Sequence, residues 1–233
     1  MRRILTSLVV AVFVVGMGSA HATGGLLGLS GGVNYWFHGS SGDVFGIDED
    51  ELDLDRDEDV HVWVEWDHIL PMIPSVRFEH SDLAQEGAAG ALVDLSHMDL
   101  TLFWSPLPLP YVTLDLGFTG RYFEGEIEHD NPSGLAGYTG DWESGSFSGF
   151  VPMLFARAVL DIPMTRFQVA ASGKGLSIGD HSITDVQLNV AYKWWYAGAM
   201  AGYRMLSIEL DELDDVTTDI SFSGPYVGAF LRF

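Results

Sequence analysis

The chain of 233 residues contains no cysteine. Neither a disulfide nor a thiolate metal centre holds it together, so its stability has to come from hydrogen bonding and packing. Positive charge is scarce: 11 Lys and Arg stand against 33 Asp and Glu, a formal net charge of −22. Such an acidic chain, with no basic stripe, is repelled by phosphate, which excludes nucleic acid as a partner. Long apolar runs are also missing beyond residue 22, where no segment reaches the ~20 residues of a membrane-spanning helix. Mean hydropathy is nevertheless positive, +0.16. The apolar residues are therefore numerous but dispersed.

The N-terminus has to be set aside before the fold is read. Met1, Arg2 and Arg3 form a positive start, Ile4 to Met17 is almost wholly apolar, and Ala20-His21-Ala22 has the small-x-small pattern of a cleavage site. That order predicts a signal peptide over 1–22 and a single exported domain over 23–233.

Within that domain the apolar residues recur with a period of two. Thr184, Val186, Leu188, Val190, Tyr192 and Trp194 alternate with Asp185, Gln187, Asn189, Ala191 and Lys193. Val60, Val62, Val64 and Trp66 alternate with His61, Trp63, Glu65 and Asp67 in the same way. Successive strand residues point to opposite faces, so these are β-strands with one greasy face. A soluble β-sandwich alternates likewise, and the connections decide between the two. Ten strands are expected: 25–38, 59–67, 75–80, 96–105, 111–128, 145–160, 167–172, 182–194, 197–210 and 218–233. Odd-numbered connections total 67 residues and even-numbered ones only 20. Long loops at one end, with short turns and both termini at the other, is the asymmetry of transmembrane barrels.

Aromatic residues collect where the two membrane interfaces would fall. Trp66, Trp104, Tyr111, Phe167, Trp194, Trp195, Tyr196 and Phe233 lie near the short turns, and Tyr35, Phe37, Phe78, Phe118, Tyr122, Phe150 and Tyr203 nearer the long loops. The fold expected is thus all-β, a closed antiparallel transmembrane β-barrel of about ten strands. Hydrocarbon offers no hydrogen-bond partners, so the sheet must close on itself. Its inward face should carry Glu65, Arg77, Asp99, Thr101, Asp115, Arg121, Arg157, Asp185, Gln187, Asn189, Lys193 and Arg204. Strand nine is the irregular one. Ala199, Ala201, Tyr203 and Met205 form a lipid face, while Leu206, Ile208 and Leu210 fall on the opposite phase, which predicts a bulge near Met205 or emergence from the membrane.

The last strand places Val227, Ala229, Leu231 and the terminal Phe233 on one face. This pattern is similar to the C-terminal signature that outer-membrane barrels present to the barrel-assembly machinery. Asp94-Leu95-Ser96-His97-Met98-Asp99-Leu100-Thr101-Leu102, Leu114-Asp115-Leu116-Gly117, Arg121-Tyr122-Phe123-Glu124-Gly125, Ala201-Gly202-Tyr203-Arg204 and Gly224-Pro225-Tyr226 to Phe233 resemble a family of Gram-negative integral outer-membrane β-barrel proteins of unassigned function. The resemblance spans nearly the whole domain. It implies the cell outer membrane as location; the loop asymmetry then puts both termini in the periplasm, and the expected partners are outer-membrane lipid, lipopolysaccharide and, through the last strand, the assembly machinery. It supplies no catalytic residues.

Two features bear on chemistry. Asp48 to Asp59 holds nine carboxylates in twelve residues. Clustered hard oxygens suit Ca²⁺ or Mg²⁺, with Asp53, Asp55 and Asp57 as the candidate ligands. The glycine and terminal glutamate of an EF-hand are missing, and a solvated acidic loop is the competing reading. Acid-base candidates are His61 with Glu65, His97 with Asp99, and the group Asp180, His181 and Ser182. None has a diagnostic spacing, since residues i and i+2 share a face in any strand. The expectation is a structural or interaction barrel or a narrow channel, with an outer-membrane protease or lipid hydrolase as the alternative.

Overall fold

The computed structural model describes residues 27–44, 47–48, 57–68, 72–86, 91–107, 109–129, 145–179, 181–213 and 216–233. The signal segment lies outside them. The described strands are β1 (Leu27–Val44), β2 (Ile47–Asp48), β3 (Asp57–His68), β4 (Ser75–Ser81), β5 (Ala84–Glu86), β6 (Ala91–Asp94), β7 (His97–Trp104), β8 (Val112–His129), β9 (Gly145–Asp161), β10 (Phe167–Ile178), β11 (His181–Trp194), β12 (Ala197–Leu213) and β13 (Val216–Arg232).

They make ten staves. Asp94 of β6 faces Glu126 and His97 of β7 faces Phe123, in one unbroken register along β8. β6 and β7 are thus a single stave interrupted at Leu95 and Ser96, and β5 continues β4 in the same manner. Backbone hydrogen bonds carry the ladder across the interruption, from Leu95 N–H to Leu83 (2.7 Å) and from Glu124 N–H to Ser96 (3.1 Å). β2 folds back onto the end of β1.

All neighbouring staves are antiparallel, and β13 pairs with β1 to close the ring. Followed across the ladders, Leu29 leads to Trp66, Val76, Leu102, Phe118 and Leu154, then to Gly175, Thr184, Ser207 and Ser221, and back onto β1 at Ser41. The circuit returns twelve residues beyond its start, from position 29 to position 41. With a rise of about 3.3 Å per residue and a strand spacing of about 4.8 Å, that stagger tilts the strands by roughly 40° and gives a barrel radius of about 10 Å.

The fifteen aromatic residues assigned to the two girdles are all exposed on the outer wall or the short turns. Between them Met98, Leu100, Leu102, Leu116, Leu154, Val186, Leu188, Val190 and Val227 complete an apolar band. Among the described residues, the short turns hold three non-glycine residues in the left-handed region: Tyr111 (φ 66°), Met164 (φ 63°) and Trp195 (φ 55°). Each conformation costs about 1–2 kcal/mol, and each places a large exposed side chain at the edge of the band.

Two expectations need correction. β10 runs to Ile178 rather than stopping at 172, because glycines 173 and 175 still pair across to Val186 and Thr184. β12 has no bulge at Met205: its pairing with β13 is continuous from Ala197 to Leu210 and shifts only beyond that. Leu206 and Ile208 simply point inward and are buried, because this end of the lumen is apolar.

Candidate functional site

The lumen has two layers. Toward the long connections it is filled by Trp36, Leu83, Phe123, Met153, Ile183, Leu206, Ile208, Ile220, Phe222 and Tyr226. Toward the short turns it is filled by charge.

Alternation along the strands aims acidic and basic side chains of facing staves at one another. Together they form one alternating chain of ion pairs. Asp115 of β8 accepts from Arg157 of β9 (2.7 Å), and Arg157 donates onward to Glu65 of β3 (2.6 Å). Glu65 also accepts from Arg77 of β4 (2.9 Å), which reaches Glu79 at 3.2 Å. Lys174 of β10 bridges Glu79 to Asp99 of β7, the second contact at 2.7 Å. Arg121 of β8 holds Asp99 through two nitrogens at 2.7 Å and touches Asp185 of β11 at 2.7 Å. Arg204 of β12 closes the chain on Asp185 at 2.7 Å. Five cations thus face five carboxylates. The arginines also lie over aromatic faces, Arg77 over Trp63 at 4.4 Å and Arg204 over Trp36 at 4.7 Å. Thr101 and Thr119 bond to each other at 2.7 Å in the same layer, and neither they nor Arg121 are reached by water.

Beside this chain and extending toward the short-turn end, a polar cavity of about 320 Å³ remains, lined by seven of the chain's ten members and, among others, by Asp67, Asp161, Gln187, Asn189 and Lys193. Lys193 and Gln168 both bind Asp161 at its mouth.

Eight of the ten residues in the ionic chain were on the inward face read from the sequence. Glu79 and Lys174 were missed. Glu79 sits two residues from Arg77 and shares its phase, which was signal enough; Lys174 lay hidden in a Ser-Gly-Lys-Gly stretch that reads as loop. A second missed pair is His38 with Asp59, at 2.5 Å and buried against the rings of Trp36 and Phe222. Asp59 is both the first residue of the expected strand 59–67 and the last of the acidic run; it lies within β3 and faces into the barrel, and because β3 reaches back to Asp57 the acidic segment is shorter than expected. Asp53 and Asp55 lie outside the described residues. The Asp57 backbone pairs with His38 in the β1–β3 ladder.

The acid-base candidates are committed elsewhere. His61 donates Nε2–H to Glu79 (3.3 Å) and accepts at Nδ1 from Asn34 (3.1 Å), while Glu65 serves two arginines. His97 donates Nδ1–H to the Leu95 carbonyl (3.0 Å), so its Nε2 accepts from Arg204 (3.3 Å). Ser182 donates to Glu209 at 2.9 Å, and Asp180 is outside the described residues. His97, Asp99 and Asp185 bring ligand atoms within 4.8 Å of one another. That group does not fit a metal, because Lys174, Arg121 and Arg204 already occupy the carboxylate oxygens.

No family model matches the sequence, and no curated protein does either. Among solved structures the chain is similar to the outer membrane protease OmpT from Escherichia coli, with a TM-score of 0.50 at 12% identity over 89% of this chain and 94% of that one. The fold is that of the outer-membrane β-barrels. Another similar structure is the translocator domain of the autotransporter NalP from Neisseria meningitidis, with a TM-score of 0.47 at 11% identity over 97% of this chain and 92% of that one. In an outer-membrane barrel the apolar band meets lipid and the ion-paired layer fills the interior. At 12% identity the likeness to the protease concerns this scaffold and carries no catalytic residue across.

Proposed function

We propose that this outer-membrane barrel is a closed, non-conducting wall whose role is structural or interactive, presenting its acidic loops on the outer side with both termini in the periplasm. The observation that supports this reading is the lumen. Its ionic chain ties together staves β3, β4, β7, β8, β9, β10, β11 and β12, with fully buried members, and the apolar layer stands between it and the long loops. A permeating ion would have to break charge-assisted bonds in a low dielectric and then cross an apolar plug, two barriers in series. Hydrolysis is less well supported, because His38, His61 and His97 are all buried and engaged.

The outer partners follow from the charge. Lipopolysaccharide phosphates repel the acidic loops directly and meet them through shared Ca²⁺ or Mg²⁺, with Asp53, Asp55 and Asp57 as candidate ligands. The last strand, ending in Phe233, engages the barrel-assembly machinery. Planar-bilayer recording of the refolded protein tests the closed lumen: a quiet baseline is expected, and stable unitary steps would refute it. Protease added to intact cells should cut within 39–58 or 129–144, whereas cutting only after the outer membrane is opened would reverse the orientation.

A further inference from the structure

The ring of staves is not evenly stitched. Between β9 and β10 the ladder runs from Asp161 and Gln168 up to Leu154 and Gly175, and there it stops. Both strands go on toward the long-loop end, β9 through Met153 to Gly145 and β10 through Leu176 to Ile178. Each stays paired on its other side, β9 to β8 and β10 to β11. The result is a seam in the wall, with Met153, Pro152 and Val151 along one edge and Leu176, Ser177 and Ile178 along the other. Pro152 has no N–H to offer a ladder, which is why such a residue belongs at an unpaired edge.

What flanks the seam is apolar on both sides. On the inner side Met153 and Ile183 belong to the apolar layer of the lumen, with Val151 and Leu176 packed against it. On the outer side, just below the end of the ladder, the wall is sunk into a groove of about 730 Å³. Trp104, Phe118, Leu154 and Val186 are its walls, and Ala156 and Gly173 make the floor. A Cβ added at Gly173 would meet nothing within 4 Å. Phe150, exposed on the same outer face as Leu154, stands above its upper end.

The combination is amphipathic. A groove whose surface is almost wholly apolar lies within the hydrocarbon band, and above it, at the aromatic girdle, the ladder has ended beside the exposed Ser177. Unpaired backbone at membrane depth is costly, by several kcal/mol per group, unless something supplies hydrogen bonds. Hydrocarbon alone cannot. A lipid offers both parts, a chain for the groove and an ester or amide oxygen for the seam-facing backbone at Ser177 one girdle higher.

We infer that the β9–β10 seam is a docking site for one membrane lipid of the leaflet at the long-loop end, its acyl chain lying in the groove between Phe118 and Val186 and its ester or amide linkage at the seam beside Ser177. This goes beyond the closed-lumen reading and does not depend on it, since the site is on the outer wall.

The test uses the full chain refolded into phosphatidylethanolamine–phosphatidylglycerol vesicles, extracted in mild detergent and weighed intact by native mass spectrometry. The wild-type protein should retain one lipid. Filling the groove with Gly173→Leu or, separately, Ala156→Leu should lower the lipid-bound fraction about tenfold, equivalent to ~1.4 kcal/mol. Ala201→Leu, exposed on the outer wall of β12, should leave it unchanged. Barrel formation in each variant is read independently from heat-modifiable gel migration, and two filling variants guard against one that does not fold. A wild-type protein that retains no lipid, filled variants that retain it, or loss in the Ala201 variant as well would each overturn the proposal. A dimer mass abolished by the filling variants would assign the groove to a second copy and overturn it too.

Discussion

Arg121 is the link on which the ionic chain can be tested most sharply. Its guanidinium makes three charge-assisted hydrogen bonds at 2.7 Å, two to Asp99 and one to Asp185, and it is wholly buried. Arg121→Met keeps the bulk and removes the charge. The chain then falls into two pieces: Asp185 with Arg204, which is neutral, and the seven residues from Asp115 to Asp99, which carry one negative charge in excess. Asp99 keeps only Lys174, and Asp185 only Arg204. Removing one partner of a buried ion pair typically costs 3–5 kcal/mol, because the remaining charge stays desolvated. Since each stranded carboxylate retains one cation, we expect about 3 kcal/mol. The measurement is urea unfolding of the refolded protein in lipid vesicles, followed by tryptophan fluorescence. Adding Asp99→Asn to Arg121→Met restores neutrality, so the double variant should lie above the sum of the single losses by roughly 1–3 kcal/mol. A single-variant loss below about 1 kcal/mol, or strict additivity, would refute the claim that charge balance holds the lumen closed.

Three further outcomes are expected. Leu206→Ala, in the apolar layer, should cost about 2–5 kcal/mol in the same unfolding measurement, as deletion of a fully buried side chain does, whereas a lipid-facing Leu206 would show far less. Phe233→Asp should leave export intact and lower the folded, heat-modifiable fraction in the outer membrane; normal amounts there would remove the terminal aromatic from the assembly signal. Calorimetry at constant ionic strength should show weak Ca²⁺ binding, about 10⁻⁴ to 10⁻³ M, that disappears when Asp53, Asp55 and Asp57 are changed to Asn, and absence of such a heat would leave only screening by the acidic segment.

What could be read in advance and what could not divide along a physical line. A strand half-exposed to lipid announces itself, because the outer face must be apolar over its whole length, and Val186, Leu188 and Val190 did so. The girdles followed from the same constraint, since an aromatic ring at the interface has only one favourable depth. The inward face obeys no such single rule. Near the short turns it is polar, so the alternation persists and Asp185, Arg121 and Arg204 fall where alternation predicts. Near the long loops it turns apolar, and along β12 both faces become greasy: Met205 outside, Leu206 and Ile208 inside. Period-two reading then loses its contrast and invents a bulge. The pairing of His38 with Asp59 escaped for a related reason: Asp59 opens the expected strand 59–67 but also ends a run of carboxylates that reads as solvated, and nothing local shows that the register turns it onto a histidine 21 residues away. Lys174 is the remaining case: its neighbours Gly173 and Gly175 lower strand propensity, but Gly173 floors the groove outside while the lysine crosses the lumen to Glu79 and Asp99. Local propensity and tertiary role conflict most at the β10 stave, which also borders the seam.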